Sequence, residues 1–192
     1  MNWIDLAATC APTVSGLTIQ KIIQVESAGN PIAINVNGIR LRANPKTASE
    51  AAAVARKYIA QGQTVDLGLM QINSSNLTRL GFKIEEMFEP CKNLKAGGAI
   101  LTESYHLARK KHAPQMALRV ALSAYNTGSF TRGFVNGYVA QYIGRDQASK
   151  SIRYIRGRKN TRLNLGMSKT VPNPYTAPTV VFSRSTQLFK GD

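Results

Sequence analysis

Apolar residues recur at the three- and four-residue spacing of amphipathic helices along most of this chain. Thr47 and Glu50 form a capping-box pattern before an alanine-rich segment, which predicts a helix over residues 47–62. Proline opens two later patterns of the same kind and predicts helices over residues 90–112 and 114–128. The pattern as a whole predicts a mainly α fold.

Residues 33–42 differ, because apolar and polar side chains alternate there around the dipeptide Asn37-Gly38. Such a dipeptide favours the tight turn of a β-hairpin with a short strand on each side. The apolar positions are Ile34, Val36, Ile39 and Leu41. We therefore expect a small β-hairpin between the first helices and an α+β domain overall.

Another helical pattern contains Ile19, Ile22 and Ile23 and ends before Gly29, and Glu26 falls on its apolar face. Helices of soluble proteins usually turn glutamate toward water. A carboxylic acid in apolar surroundings keeps its proton to higher pH, so it can protonate a leaving-group oxygen, as in glycoside cleavage. The simpler interpretation is a side chain at a helix end that reaches past the apolar stripe to water.

The formal net charge of +15 over 192 residues predicts an anionic partner. Nucleic acid, a membrane surface and a cell-wall polymer all carry such charge, and a basic solvated surface without a specific partner is the alternative. No recognised nucleic-acid-binding motif is present, so we expect no specific nucleic acid.

The length of the chain fits one domain with a tail. Residues 145–192 contain ten Lys or Arg but two Asp or Glu. A basic helix is predicted to continue to about Gly157, and the stretch VPNPYTAP beyond it predicts extended or disordered chain. We expect a domain over residues 1–157 and a basic, proline-containing C-terminal tail over residues 158–192. The tail either binds an anionic polymer or partner complex, or only adds solubility.

The first ten residues, MNWIDLAATC, do not predict a signal peptide, because they lack a basic start and contain Asp5. The expectation is that a leader was removed before this numbering begins or that export uses another route. No stretch approaches the roughly 20 apolar residues that span a bilayer, so no transmembrane segment is predicted.

The two cysteines, Cys10 and Cys91, lie 81 positions apart. They are compatible with one disulfide in an oxidising compartment, or with two buried free thiols. Together with His106 and His112 they form no metal-ligand pattern, so neither a metal nor another cofactor is expected.

Two further stretches have unusual side chains for their surroundings. DLGLMQIN, residues 66–73, ends an apolar segment with polar groups, and SAYNTG, residues 123–128, ends a predicted helix. Each signal is weak alone, because Met70 is more often core and Tyr125 is more often a buried ring with one satisfied hydroxyl. Their order and spacing after the Glu26-Ser27 pair give them their specificity.

Over roughly residues 12–145 the chain resembles the soluble lytic transglycosylase family, whose catalytic domain has a goose-type lysozyme-like fold. The matching blocks are ESAGNP, GLMQIN, AYNTG and the YV of NGYVAQY. The early CAP, the predicted hairpin, DLGLMQIN and FEPCKNL look most like the specialised transglycosylases of type IV secretion and conjugation systems. The resemblance to that subgroup implies a disulfide between Cys10 and Cys91.

The resemblance assigns a role to each residue of the first two blocks. Glu26 matches the single catalytic acid, and Ser27 matches the serine that helps to place the acid or the substrate. The alternative for Ser27 is an exposed hydroxyl at the helix end. Met70 and Gln71 match positions that line the cleft near the sugar N-acetyl group.

The later blocks match less completely. Tyr125 and Asn126 match the AYN block, which supports the acid and contacts sugar, and Tyr138 matches the tyrosine whose hydroxyl bonds toward the catalytic carboxyl. Tyr142 stands where the family usually has valine, and the acidic residue common before the tyrosine is missing. Tyr142 is therefore an alternative for the role of Tyr138.

Most retaining glycosidases use a second carboxylate about 5–5.5 Å from the acid. Asp66 is the best candidate in this chain, and a cap or turn acid that organises DLGLMQIN is the favoured interpretation. Glu85, Glu86 and Glu89 form a polar cluster before Cys91 that is typical of a solvated face. The scarcity of paired acids favours a transglycosylase over a hydrolase.

Three functions follow from these observations. The first is a lytic transglycosylase that forms 1,6-anhydro ends on peptidoglycan glycan strands in the periplasm, for a secretion or conjugation complex. The second is a lysozyme-like hydrolase of the same substrate. The third is a largely non-catalytic peptidoglycan-binding assembly protein.

Overall fold

Helices make up most of residues 2–157, the part of the chain that this computed structural model describes. The mainly α prediction is confirmed. The chain divides between Gly98 and Ala99 into two units. The predicted basic tail over residues 158–192 lies outside the described residues.

The first unit combines short helices with a small sheet. The elements are α1 Trp3–Cys10, α2 Gly16–Ser27, β1 Ile34–Val36, α3 Ala48–Ala60, β2 Val65–Leu67, β3 Ile72–Asn73 and α4 Leu77–Leu80, with 3-10 turns at Ser74–Asn76 and Glu85–Phe88. Helix α5, Pro90–Arg109, begins in this unit and ends in the second. The Thr47 hydroxyl caps α3 by accepting a hydrogen bond from the Glu50 amide at 3.1 Å, as the capping-box pattern predicts.

The sheet corrects the hairpin prediction. The Asn37-Gly38 turn forms and Val36 makes an isolated bridge to Ile39, but residues 40–42 are not in a strand. Strand β1 pairs instead with β2 in antiparallel register, and β2 pairs with β3. The physical reason is burial: residues 37–40 are exposed, whereas both apolar side chains of β2 are fully buried and offer β1 a partner in the core.

Large apolar side chains from the helices and the sheet share the core of the first unit. The largest that are fully buried are Val36, Ile19, Ile22, Ile23, Leu67, Leu69, Met70, Ile72, Met87 and Leu94. Helix α1 packs on α2. A disulfide joins Cys10, at the end of α1, to Cys91, at the start of α5, with the two Cα atoms 5.2 Å apart. The predicted pairing is confirmed.

The second unit contains the remaining described helices. They are α6 Pro114–Thr127, α7 Arg132–Val135, α8 Ala140–Ile143 and α9 Arg145–Gly157. Proline occupies the first turn of α6, and Gly128 ends that helix in the left-handed region at φ 64°, so both predicted boundaries are confirmed. No helix within residues 2–157 has both the length and the apolar character that a bilayer span requires.

Candidate active site

Glu26 lies in the last turn of α2, beside a stripe of buried isoleucines. Ile19, Ile22 and Ile23 are at most 1% exposed, whereas Glu26 is half-buried. The helix ends at Ser27, and Ala28 takes left-handed backbone at φ 52°. The predicted helix end is confirmed, and the catalytic role of Glu26 stays a prediction.

The Ser27 hydroxyl fastens the end of α2 to the connection between β2 and β3. Its Oγ donates to the Leu69 carbonyl at 2.8 Å and to the Ile23 carbonyl at 3.2 Å. The alternative of a merely exposed hydroxyl is wrong, because the side chain is part-buried and its proton is shared by two carbonyl oxygens. Ser27 therefore couples the segment that contains Glu26 to the segment that contains Met70 and Gln71.

Met70 and Gln71 lie in the tight connection between β2 and β3. Met70 is fully buried, and its sulfur sits where a side chain at Gly97 would begin, 2.5 Å from a Cβ placed there. Gln71 is half-buried and takes left-handed backbone at φ 47°, which is uncommon for a residue other than glycine. Its Nε2 donates to the Gly68 carbonyl at 2.9 Å and restrains the turn. The cleft-lining roles of both residues stay predictions.

The buried side chain of Asn93 anchors the connection between β2 and β3 by hydrogen bonds. The sequence analysis did not identify Asn93. The Asn93 side chain is fully buried, accepts from the Met70 amide at 2.8 Å and donates to the carbonyls of Leu67 and Met87 at 2.9 and 2.8 Å. A Cβ at Gly68 would lie 2.1 Å from the Met87 carbonyl oxygen, so only glycine fits there. The sequence signal for a buried Asn93 was its spacing, because the small residues Ala96 and Gly97 follow it on the same face of α5.

Asp66 is a structural acid of the sheet. In β2 it stands opposite Asn35 on one side and Asn73 on the other. Its Oδ2 accepts from Asn35 and Asn37 amides at 3.2 and 3.1 Å, and its Oδ1 accepts from Asn73 at 2.7 Å. The favoured interpretation of a cap or turn acid is corrected in detail, because Asp66 joins three segments across the sheet.

We expect Asp66→Asn to lower stability more than activity. An amide in place of the carboxylate brings an N–H toward the surrounding N–H donors and removes charge-assisted bonds, so the free energy of unfolding should fall by about 1–3 kcal/mol. Denaturant unfolding measures this loss. Activity per folded molecule should stay within a few-fold of the wild type, and a thousandfold loss in a folded variant would contradict the structural role.

The other acids near Cys91 are engaged in surface ion pairs. Lys92 Nζ donates to Glu86 at 2.8 Å and to Glu89 at 3.2 Å, and Arg56 pairs with Glu85. The hydrogen bond from Lys92 holds the pKa of the Glu86 carboxyl below its ordinary value. The three carboxylates therefore form ion pairs on a solvated face, as the sequence analysis predicts.

The AYN block ends α6 in the second unit. Tyr125 is half-buried and Asn126 is exposed, and the Asn126 Oδ1 accepts from the Asn136 amide at 3.0 Å. The Asn136 Oδ1 in turn accepts from the Tyr138 backbone N–H at 3.0 Å. Asn136, which the sequence reasoning missed, thus links the predicted sugar-contacting residue to the predicted catalytic tyrosine; its pairing with Gly137 as a turn dipeptide was the available signal.

Tyr138 and Tyr142 form one buried pair. Each is 5% exposed, their ring centroids lie 5.2 Å apart, and the Tyr142 hydroxyl donates to the Tyr138 hydroxyl at 2.7 Å. The two tyrosines considered as alternatives are therefore direct partners. Among residues 2–157, no three His, Cys, Asp or Glu side chains come together as a metal site.

Comparison with known proteins identifies the family to which this chain is similar. The model of the transglycosylase SLT domain family matches residues 5–147. The chain is 45% identical over 134 residues to "Type IV secretion system protein virB1" of Brucella abortus, an alignment that covers 69% of this chain and 56% of the relative. No solved structure matches the chain.

Two other relatives are similar. "Protein virB1" of Agrobacterium fabrum is 37% identical over 135 residues, with 70% of this chain and 55% of the relative covered. "Protein virB1" of Rhizobium radiobacter is 39% identical over 134 residues, with 70% and 56% covered. The chain thus spans about half the length of the curated relatives it matches.

Proposed function

Because the chain belongs to the transglycosylase SLT domain family, we propose that it is a lytic transglycosylase that cleaves the glycan strands of peptidoglycan. The observation that carries the proposal is the coupling of Glu26 to the GLMQ connection. A half-buried carboxyl at the end of an apolar helix is tied, through the adjacent Ser27, to the carbonyl of Leu69. This bond connects the helix end that contains Glu26 to the connection between β2 and β3.

Glu26 performs both proton transfers in the proposed reaction. It protonates the oxygen between N-acetylmuramic acid and N-acetylglucosamine as the β-1,4 bond breaks, and the N-acetyl group supports the cation that forms at C1. The resulting carboxylate then removes the proton of the muramic C6 hydroxyl, whose oxygen bonds to C1. The product has a 1,6-anhydro ring, no water is consumed, and Glu26 regains its proton. The C6 hydroxyl has a proximity advantage because it belongs to the same sugar.

This mechanism requires only one catalytic carboxyl. Asp66, the best candidate for a second one, is instead held in hydrogen bonds within the sheet. Both of its oxygens accept hydrogen bonds from asparagine amides. From the family pattern we assign Gln71, Tyr125 and Asn126 to substrate binding, and Met70 to a position near the sugar N-acetyl group. We assign Tyr138 a catalytic role from the family pattern alone.

The relatives extend the proposal to a cellular role. They have 37–45% identity to this chain, and one bears the name of a type IV secretion system protein. We assign this chain to local opening of the wall for a secretion or conjugation apparatus, in the periplasm. The disulfide between Cys10 and Cys91 suits that oxidising compartment.

Digestion of purified peptidoglycan tests the activity. The soluble products are separated and weighed by mass spectrometry. We expect muropeptides one water lighter than those with reducing ends. Reducing ends would instead identify a lysozyme-like hydrolase, and binding without any product would identify an assembly protein.

We expect Tyr142→Phe to weaken catalysis through Tyr138. The substitution removes the hydroxyl that donates to Tyr138 at 2.7 Å, so the Tyr138 hydroxyl loses one of the contacts that orient it within the buried pair. A neutral hydrogen bond is worth about 0.5–1.5 kcal/mol, so kcat/KM on soluble glycan fragments should fall about three- to tenfold.

A double-mutant cycle separates this role from simple packing. If Tyr142 acts through Tyr138, the double phenylalanine variant loses no more activity than Tyr138→Phe alone. Losses that multiply would contradict the coupling. Near-ultraviolet circular dichroism spectra that match the wild type would show that the fold of the three variants is intact.

A further inference from the structure

A cleft of about 550 Å³ opens in the second unit, close to the AYN block. The end of α6, the loop after it, α7 and the last turn of α9 form its walls. It is lined by Thr127, Thr131, Arg132, Val135, Asn136, Ile155 and Arg156. The volume is in the range of about 300–1,000 Å³ that small-ligand sites occupy.

The cleft combines positive charge with apolar surface. Arg132 and Arg156 are both exposed in its lining, and the lining contains no acidic residue. Val135 is 67% exposed, which makes it a large apolar side chain in open contact with solvent. An arginine guanidinium binds a carboxylate with two parallel hydrogen bonds, while the exposed Val135 and the half-buried Ile155 favour aliphatic groups. The complementary ligand is therefore an acidic peptide with small apolar side chains.

The cleft adjoins the residue that the proposed function assigns to sugar. Asn136 lines the cleft, and its amide donates to the Asn126 Oδ1 at 3.0 Å. The glycan strand held at Asn126 would thus pass beside the cleft. In peptidoglycan the group that branches from the glycan is the stem peptide of muramic acid, which carries methyl side chains and free carboxylates.

We propose that this cleft binds the acidic stem peptide of the peptidoglycan substrate. The proposal rests on the proposed function, because it names a second part of the same substrate. The other occupant at hand is the chain's own segment 158–192, which follows α9 directly. That segment has six Lys or Arg and one acid, so it would meet Arg132 and Arg156 with like charge.

Direct binding tests the proposal without relying on catalysis. The full chain is titrated against a fluorescent stem tetrapeptide with free carboxylates and against the same peptide with its carboxylates amidated. We expect the acidic peptide to bind, the amidated peptide to bind at least tenfold more weakly, and Arg156→Ala to weaken the acidic peptide about tenfold. Arg153→Ala is the matched control, because Arg153 is an exposed arginine of the same helix outside the cleft lining.

Each result decides the matter. Equal affinity for the two peptides, or equal losses in Arg156→Ala and Arg153→Ala, would overturn the proposal in favour of non-specific charge attraction. Tighter binding after removal of residues 158–192 would show that the tail occupies the cleft and would overturn the assignment of the cleft to the stem peptide. Peptide binding without anhydro products would uphold the cleft and reject the transglycosylase.

Kinetics adds a second readout. Glycan fragments with stem peptides are compared with the same fragments after an amidase has removed the peptides. We expect the wild type to prefer the peptide-bearing fragments about tenfold in kcat/KM, Arg156→Ala to lose that preference and Arg153→Ala to keep it. A wild-type enzyme that cleaves both substrates equally would contradict the inference while leaving the transglycosylase in place.

Discussion

We expect the substitution Glu26→Gln to abolish the release of soluble products from peptidoglycan. Glutamine has nearly the same shape but cannot give or take the proton, so both proton transfers of the proposed reaction lose their agent. One such transfer is worth about 10²–10⁴ in rate, and the combined loss should reach the background of the assay. Release of muropeptides at fixed enzyme concentration measures the effect.

Glu89→Gln is the matched control for this substitution. It makes the same chemical change at an exposed carboxyl whose partner is a surface lysine at 3.2 Å, a pair of little energetic value. Activity should stay at the wild-type level. A Glu26→Gln variant that folds and retains a tenth of the activity would remove Glu26 from the role of acid and base.

Loss of the Cys10–Cys91 disulfide should cause the largest change in stability. The bond closes a loop with a sequence separation of 81, and the chain-entropy model assigns about 4–5 kcal/mol to a loop of that length. It also joins the end of α1 to the start of α5, two residues before Asn93. We therefore expect the double variant Cys10→Ala and Cys91→Ala to unfold at a much lower denaturant concentration.

A reductant provides the control for this experiment. It should lower the denaturant midpoint of the wild type toward that of the double variant, and it should leave the double variant unchanged. A wild-type midpoint that does not respond to complete reduction, checked by thiol titration, would contradict a stabilising disulfide.

Local signals gave correct helices, while the sheet required information from distant residues. Thr47 and Gly128 act on their own helix ends, so their effect is visible within a few positions of the sequence. The strand pair β1–β2 joins segments separated by α3, and its register depends on which side chains the core buries. The Asn37-Gly38 turn was therefore predicted correctly. The second strand predicted after this turn does not form, because its residues are not buried in the core.

The site shows the same division. Glu26 was identifiable because its position on an apolar stripe is a property of one helix. Asn93 and Asn136 were not identified, since each acts by joining groups that are brought together only by folding. The hydrogen bond between Tyr142 and Tyr138 was likewise not predicted, although the sequence analysis had identified both residues as candidates for one role.

Digestion in heavy-oxygen water tests the central claim most directly. In a transglycosylase the muramic C6 hydroxyl is the nucleophile, so the new ends should be one water lighter than reducing ends and contain no labelled oxygen. Attack by water would place one labelled oxygen at each new reducing end. The first result, lost in Glu26→Gln, is the one we predict, and labelled reducing ends would contradict the transglycosylase.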